Sequence, residues 1–588
     1  MTLLSSGVTA RVERAVGAAL AHAWQRWCSY WLAPGGRISA AVLRIAVAVS
    51  LLWMLARIAD HPPPAAFHHH GIWMLYPGRP SAAVVTAITW TAWLSTIALL
   101  LGVATRATHA ASAIATLAIA AYAVSGEVTW SHGDVPPVLA SLALLGARSG
   151  DALSIDAWWR ARAPRGRRTA AAGYQHSVRL VQLVVAAVFV LAAYEKLRAG
   201  GLWLGWALSD SLRHHLLAWY DGSGSPRTPV ANWLLSGGAW RYELGAFVNL
   251  VSQLSAVLAV IFVRRPWIRA IAGALWCSEV TGLGLVMNLW NGHWLPLGAA
   301  FIDWDAVAAR LGARLGEGSS EGPSEGPSEG TSGGPGEDLE AAPPVRRVPR
   351  RDAEHPYRGR IAFVTGFAAF FAIQAFWLNQ RLRIYPFSGF PLFAAVRAKR
   401  PYSRHQSYEF VGGRLEAIGG DGDAAMQTWL AQRASYRAVW RERRPSELAR
   451  AIEGVLREVQ ISWPRAGVTG MRLWLSIFQA PAYPAPARID RFDVAVLGEL
   501  DGTGFRSALG VLLPDARTWI APPSAPQLAG MALFAIRNDD PAPVAIAAVA
   551  TGVGFVLDAP LRGDPVYLIG RTEHGSPWLL SGRGRRGY

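Results

Sequence analysis

Residues 178–197 read VRLVQLVVAAVFVLAAYEKL, an almost unbroken apolar run that closes on a glutamate and a lysine. About 20 such residues are what an α-helix needs to cross the hydrocarbon of a bilayer. The stretch therefore predicts a spanning helix with Glu195 and Lys196 in its last turn. Working outward, comparable runs precede it at 38–59, 81–103 and 109–128, and others follow at 242–263, 267–286 and 361–378. Two further runs are shorter. One, 135–147, opens with Pro136 and Pro137 and predicts a broken or tilted element, which membranes tolerate only where protein or a watery cavity surrounds it. The other, 288–302, follows its predecessor almost without a break, so a tight turn or re-entrant path is expected near Trp290 to Trp294. The count predicts nine crossings.

Composition agrees. Of 588 residues 52% are hydrophobic and 16% charged, against about 25% charged in ordinary soluble chains, which argues against a soluble enzyme. The 27 tryptophans suit a protein anchored at membrane interfaces. The net charge of +17 is almost all arginine placed beside the apolar runs, at Arg106, at Arg160, Arg162, Arg165, Arg167 and Arg168, and at Arg264, Arg265 and Arg269. That is the positive-inside pattern, not a nucleic-acid footprint, so no nucleic-acid partner is expected and the partner surface is the lipid bilayer. These loops and the N-terminus are assigned to the cytoplasm. The resulting scheme is a multi-pass cell-membrane protein with a cytoplasmic amphipathic N-terminus (1–35), an α-helical polytopic membrane domain (36–305), a disordered cytoplasmic linker (306–360), a last transmembrane helix (361–378) and an extracytoplasmic soluble domain (379–588). The linker carries Gly-Pro-Ser-Glu repeats and a basic run from Arg346 to Arg351, a composition that cannot bury a core.

The last domain reads as mixed α/β and strand-rich. Ser446 reads as the N-cap of a helix whose Leu448, Ile452, Val455, Leu456 and Val459 recur at helical spacing, and 472–480, 531–536 and 566–571 read as strands. Cys28 and Cys277 stand far apart in apolar surroundings, which argues against a disulfide framework and a thiolate metal site. His61, His68, His69 and His70 lack the ligand spacing of a metal site, so no metal is expected.

The chain has only two lysines, Lys196 and Lys399. Where arginine is the habitual cation, a surviving lysine draws attention because an amine can lose its proton and a guanidinium cannot. Lys196 is the candidate base, and Lys399, between Arg397 and Arg400, reads as surface charge. His132, in Trp130-Ser131-His132-Gly133-Asp134, is placed on the same side, with Asp134 expected to orient its ring. Glu279 lies within an apolar run and needs a partner there, either an arginine such as Arg44 or a polar cavity. His214 and His215 read as solvated loop residues.

The ordered series Trp130-Ser131-His132, Ser154-Ile155-Asp156, Tyr194-Glu195-Lys196-Leu197, Trp203-Leu204-Gly205 and Met287-Asn288 is similar to the horizontally transferred transmembrane (HTTM) domain family, over roughly 36–305. That family includes the vitamin K-dependent gamma-glutamyl carboxylases. The resemblance implies that Lys196 deprotonates a reduced quinone, a vitamin K-type hydroquinone. Reaction of the quinol with oxygen then yields a strong base that removes a γ-proton from a glutamate of a secreted or membrane peptide, so that CO2 can add. It implies His132 in the same active site and Trp130, Ser131, Trp203 and Asn288 around the cofactor. Where the carboxylases tend to carry a histidine just before Met-Asn, this chain has Leu285. The alternatives are a nonenzymatic membrane module that binds, exports or assembles a secreted partner, and a lipid or small-molecule transporter.

Overall fold

The structure is a computed structural model that describes residues 3–31, 36–59, 67, 69–126, 133–162, 174–200, 204–221, 226–263, 265–317, 365–366, 405, 407–419, 445–462, 468–513, 517–522, 531–537, 540–551, 554–560, 566–571 and 576–582. The linker beyond 317, the ninth apolar run apart from Thr365 and Gly366, Lys399, His61, His68, Trp130, Ser131, His132 and Trp203 lie outside the described residues.

The N-terminal half is helical: α1 Leu3–Trp31, α2 Arg37–Ala59, α3 Ala82–Leu101, α4 Thr105–Ala123, α5 Val135–Leu144, α6 Ile155–Arg162, α7 Gln175–Gly200, α8 Ser211–Tyr220, α9 Pro229–Ser236, α10 Ala239–Ile261, α11 Pro266–Met287 and α12 Trp304–Glu317. Five of these, α2, α3, α7, α10 and α11, are long and apolar enough to cross a membrane, which marks the chain as a membrane protein. Their outer faces are apolar too. On α10, Leu244, Phe247, Val251, Leu254, Leu258 and Ile261 are exposed, while Tyr242, Glu243, Ala246, Leu250 and Gln253 are buried. A helix greasy outside and partly polar inside suits lipid and not water as its solvent.

Among the described residues five helices, not nine, are long and apolar enough to span; α4, from the run 109–128, is not one of them, and the two short runs are indeed broken or irregular. Helix α5 has ten residues, about 15 Å of rise. The run 288–302 forms a 3-10 helix over Gly292–Phe301 with Pro296 inside it; proline has no N–H to give and its ring obstructs a continuous α-helical ladder. Their flanking residues nevertheless reach different levels of the bundle, although the 3-10 helix starts beside Ser50 and Trp53, well inside α2. At one end Gly133 O accepts from Trp294 Nε1 (2.7 Å), and Arg57, near the C-terminal end of α2, pairs with Asp134. At the opposite end Arg44 donates to Ser149 O (2.7 Å), Asp305 accepts from Ile38 N (3.0 Å) and Arg269 pairs with Asp303 (3.1 Å). The turns bearing Arg106, Arg160 and Arg269 thus share that second end.

In the C-terminal half, strands β1 Tyr408–Ile418, β2 Gly470–Ala480, β3 Asp490–Asp501, β4 Gly504–Arg506, β7 Ala532–Arg537, β8 Asp540–Ile546, β11 Val566–Arg571 and β12 Trp578–Gly582 form one sheet, ordered β1-β2-β3-β12-β11-β7-β8 with β4 paired to β3. Strand β12 runs parallel to β3 and the other pairings are antiparallel. A second sheet joins β5 Val511–Leu512, β6 Thr518–Ile520, β10 Gly554–Leu557 and β9 Ala548–Thr551. Helix α13, Pro445–Ser462, covers β2 and β3 with Ile452, Val455, Leu456 and Val459 fully buried, each contributing about 1.5–3 kcal/mol by removal from water. It approaches so closely that a Cβ on Gly498 would stand 2.7 Å from Ile452. Ser446 is not the cap: the helix begins at Pro445, whose fixed φ and missing N–H suit a first helical position.

Candidate functional site

Lys196 is turned into the bundle and is 2% exposed. Its neighbour Arg198 takes the surface role, pairing with Glu195 at 2.7 Å. The Lys196 amine donates to Asn249 Oδ1 (2.5 Å) and Gln253 Oε1 (3.0 Å), both on α10, and stands 4.4 Å from the centre of the Trp206 ring. The same two amides turn their nitrogens the other way. Asn249 Nδ2 and Gln253 Nε2 donate to Glu279 Oε1 on α11, the latter at 2.9 Å. One turn of α10 separates Asn249 from Gln253, so their side chains lie on one face of the helix. A lysine and a carboxylate are thereby linked through two amides without touching each other, in the middle of α10 and α11.

This arrangement answers the question of Glu279's partner. Arg44 is not that partner; it is consumed by the carbonyls of Ser149, Ala152 and Leu153. The partners are Asn249 and Gln253, and through them Lys196. Chemically, the amide oxygens stabilise the amine's protons while the carboxylate supplies counter-charge at a distance. The amine is therefore not locked in a direct salt bridge. An indole face beside it supplies an apolar, π-rich wall.

Above Trp206 the chain re-enters through α8. His214 and His215 are not solvated: both are buried in this helix, and the His215 ring lies 6.4 Å from that of Trp206. Just before α8, Asp210 is 1% exposed and accepts from Tyr242 Oη (2.5 Å) on α10 and from Tyr483 N (3.1 Å), with His405 Nδ1 at 3.1 Å. Tyr483 belongs to the β2–β3 connection. Arg213 on α8 binds the carbonyls of Pro481, Ala485 (2.9 Å) and Pro486 (3.2 Å), and Arg227, held bidentate by Asp221, binds Ala487 O (2.6 Å). Phe478, Ala480 and Ile489 join the apolar core of the bundle. The C-terminal domain is thus docked at the end of the bundle opposite the arginine-rich turns.

Of the residues singled out in the sequence, the structure brings Lys196 and Glu279 together. Asp134 is held by Arg57 and lies 3.6 Å from His293 Nε2, which is itself 2.8 Å from Gly133 O. Its partners among the described residues are therefore Arg57 and His293, and His132, whose ring it was expected to orient, lies outside that set. Asn288 is exposed, in the left-handed conformation that ends α11, with its N–H on Gly284 O at 2.9 Å. Its visible role is to cap a helix. Sequence reasoning missed Asn249, Gln253, Trp206, Asp210 and His293. The signal for the first two was present, since amides four residues apart inside an apolar run are costly unless partnered.

No family model matches this sequence, and no curated protein or solved structure was found to be similar to it.

Proposed function

We propose that the protein is a multi-pass membrane enzyme of the HTTM type, which uses Lys196 as a base in the quinol-dependent modification of a secreted or membrane-bound peptide. One observation carries this reading: the buried amine is held by two neutral amide oxygens and an indole face, with its counter-charge on Glu279 kept one amide away. A purely structural ion pair has no need of that separation. An amine so placed can hold a proton at Nζ or release it, and the surrounding helices exclude the water that would compete.

A reduced quinone suits this donor set. Trp206 would offer a flat face and Lys196 a hydrogen-bonding nitrogen; both are 2% exposed and face each other, so the ring would enter only where that packing opens. When bound, such a quinol supplies a hydroxyl whose deprotonation opens its reaction with oxygen and so provides the strong base that a γ-carboxylation requires. The work of this chain is to orient that hydroxyl toward Nζ, to accept its proton and to balance the charge through Asn249, Gln253 and Glu279.

The topology proposed with it has nine crossings, the arginine-rich end and N-terminus in the cytoplasm and the C-terminal domain outside. It is supported by the docking of that domain at the end of the bundle opposite the arginine-rich turns. A reporter fused after Tyr588 reads cytoplasmic if this topology is mistaken.

A second reading is a membrane module that assembles or exports a secreted partner without chemistry, or transports a small molecule. It is favoured by the extent of the junction between α8 and the β2–β3 connection. The two readings part on Lys196→Arg, which keeps charge but not the ability to act as a base. Mass spectrometry of secreted peptides from cells with the protein, without it and with Lys196→Arg is expected to show a gain of one CO2 only with the unaltered chain. Full phenotype with Lys196→Arg sinks the base reading.

A further inference from the structure

At the arginine-rich end, the α3–α4 turn, the end of α5 and helix α6 enclose a cavity of about 510 Å³ lined by Arg106, Arg148, Arg160, Asp151, Asp156 and Trp159 among others. Its walls are tightly built. Asp156 accepts from Ala104 N, Thr105 N and Thr105 Oγ1 at 2.8, 2.8 and 2.6 Å, and its own N–H donates to Gly102 O (3.0 Å). Gly102 adopts φ +72°, and a Cβ there would stand 2.3 Å from that of Ser154, so glycine is required for the turn to seat against α6. Asp151 accepts from Arg160 (2.6 Å) and Tyr174 (2.7 Å). Burial alone would raise both carboxyls, but these hydrogen bonds outweigh it and hold each below the ordinary carboxylate range. Both acids are thus ionised and already satisfied.

The cations are not matched in the same way. Arg160 is committed to Asp151 and Gly150 O. Arg106 and Arg148, both lining the cavity, form no hydrogen bond or ion pair among the described residues, although Arg148 is near enough to help hold Asp151 ionised. Helix α6 supplies the second half of the site. Ile155, Trp158, Trp159 and Arg162 recur at i, i+3, i+4 and i+7, so they share one face. The three apolar side chains are 38%, 52% and 66% exposed, and the Arg162 guanidinium lies 3.4 Å over the Trp158 ring. Paired exposed tryptophans flanked by arginine, beside a basic cavity at one end of a bundle of apolar helices, are the parts of an interfacial element.

We propose that this cavity binds the phosphate headgroup of an anionic membrane lipid, with Arg106 and Arg148 as its cationic ligands and the Trp158–Trp159 face of α6 lying against the acyl region. Guanidinium groups suit phosphate oxygens in both geometry and charge. The site is separate from Lys196 and does not depend on the enzymatic reading.

The test uses the full chain in phosphatidylcholine nanodiscs doped with phosphatidylglycerol, with bound lipid counted by native mass spectrometry. Retained phosphatidylglycerol is expected to fall at least several-fold in the double variant Arg106→Gln, Arg148→Gln and to return largely in Arg106→Lys, Arg148→Lys, with both variants monodisperse. Replacing Trp158 and Trp159 by alanine is expected to lower retention less. Unchanged retention in the glutamine variant overturns the proposal. So does displacement of the lipid by millimolar inorganic phosphate, which would make this a site for free phosphate.

Discussion

The chain builds buried charge in two different ways. In the C-terminal sheet, Glu499 is gripped directly by Arg472 (2.7 Å) and Arg506 (2.5 Å), and Arg506 also reaches Asp501 at 2.5 Å. In the bundle, Lys196 and Glu279 never touch, and two amides stand between them. Solvent reaches the sheet's arginines, whose side chains are 22% and 41% exposed, so direct contact there is inexpensive and of modest value. Inside the bundle both ions are deprived of water, and each needs its hydrogen bonds satisfied before any attraction counts. Among the described residues, the direct pairs between a permanent cation and a carboxylate are all made by arginine. The different construction around Lys196 points to a different task.

The contrast can be broken most sharply at its buried half. Lys196→Met or Glu279→Leu alone strands one charge and is expected to cost about 3–5 kcal/mol, read as loss of unfolding stability in a lipid or detergent host. The double variant is expected to cost well under the sum of the two. Strict additivity would mean that the amides do not couple them. Next comes the junction with the C-terminal domain. Asp210→Asn weakens the hold on Tyr242, His405 and the Tyr483 amide at a cost of about 1–3 kcal/mol, and the β2–β3 connection should be cut faster by protease. A cleavage rate equal to that of the unaltered chain would show that Arg213 and Arg227 hold the connection unaided. The smallest effect belongs to the sheet: Glu499→Gln, with its partners partly in water, is expected to cost about 1 kcal/mol in the same unfolding measurement. A loss as large as that at Glu279 would erase the distinction between the two networks.

Much of the fold was legible because length and apolarity are local properties. The runs at 38–59, 81–103, 178–197, 242–263 and 267–286 each became a long helix within a few residues of the expected ends, and 566–571 became β11. Runs of intermediate length were harder. In 288–302 a proline and two glycines within the short segment shifted the balance to a 3-10 path, and a hydropathy window does not see hydrogen-bond geometry. The parallel contact of β12 with β3 links residues 578 and 496, and no periodicity encodes such a pairing. At the candidate site, charge made Lys196 and Glu279 visible, whereas Asn249 and Gln253 carry none and were passed over. The buried His214 and His215 were read as loop because α8, at ten residues, is too short to show a clear helical period.

Tyr242, Asn249 and Gln253 project from the same face of one helix. From Tyr242 to Asn249 is seven residues, about 10 Å of rise. Helix α10 therefore acts as a common axle, with the latch of the C-terminal domain at one station and the lysine cradle at the next. A roll of that axle that reseats Tyr242 against Asp210 must also swing both amides past Nζ and Glu279. Mechanical load on the C-terminal domain would then be felt at the amine with no intervening hinge.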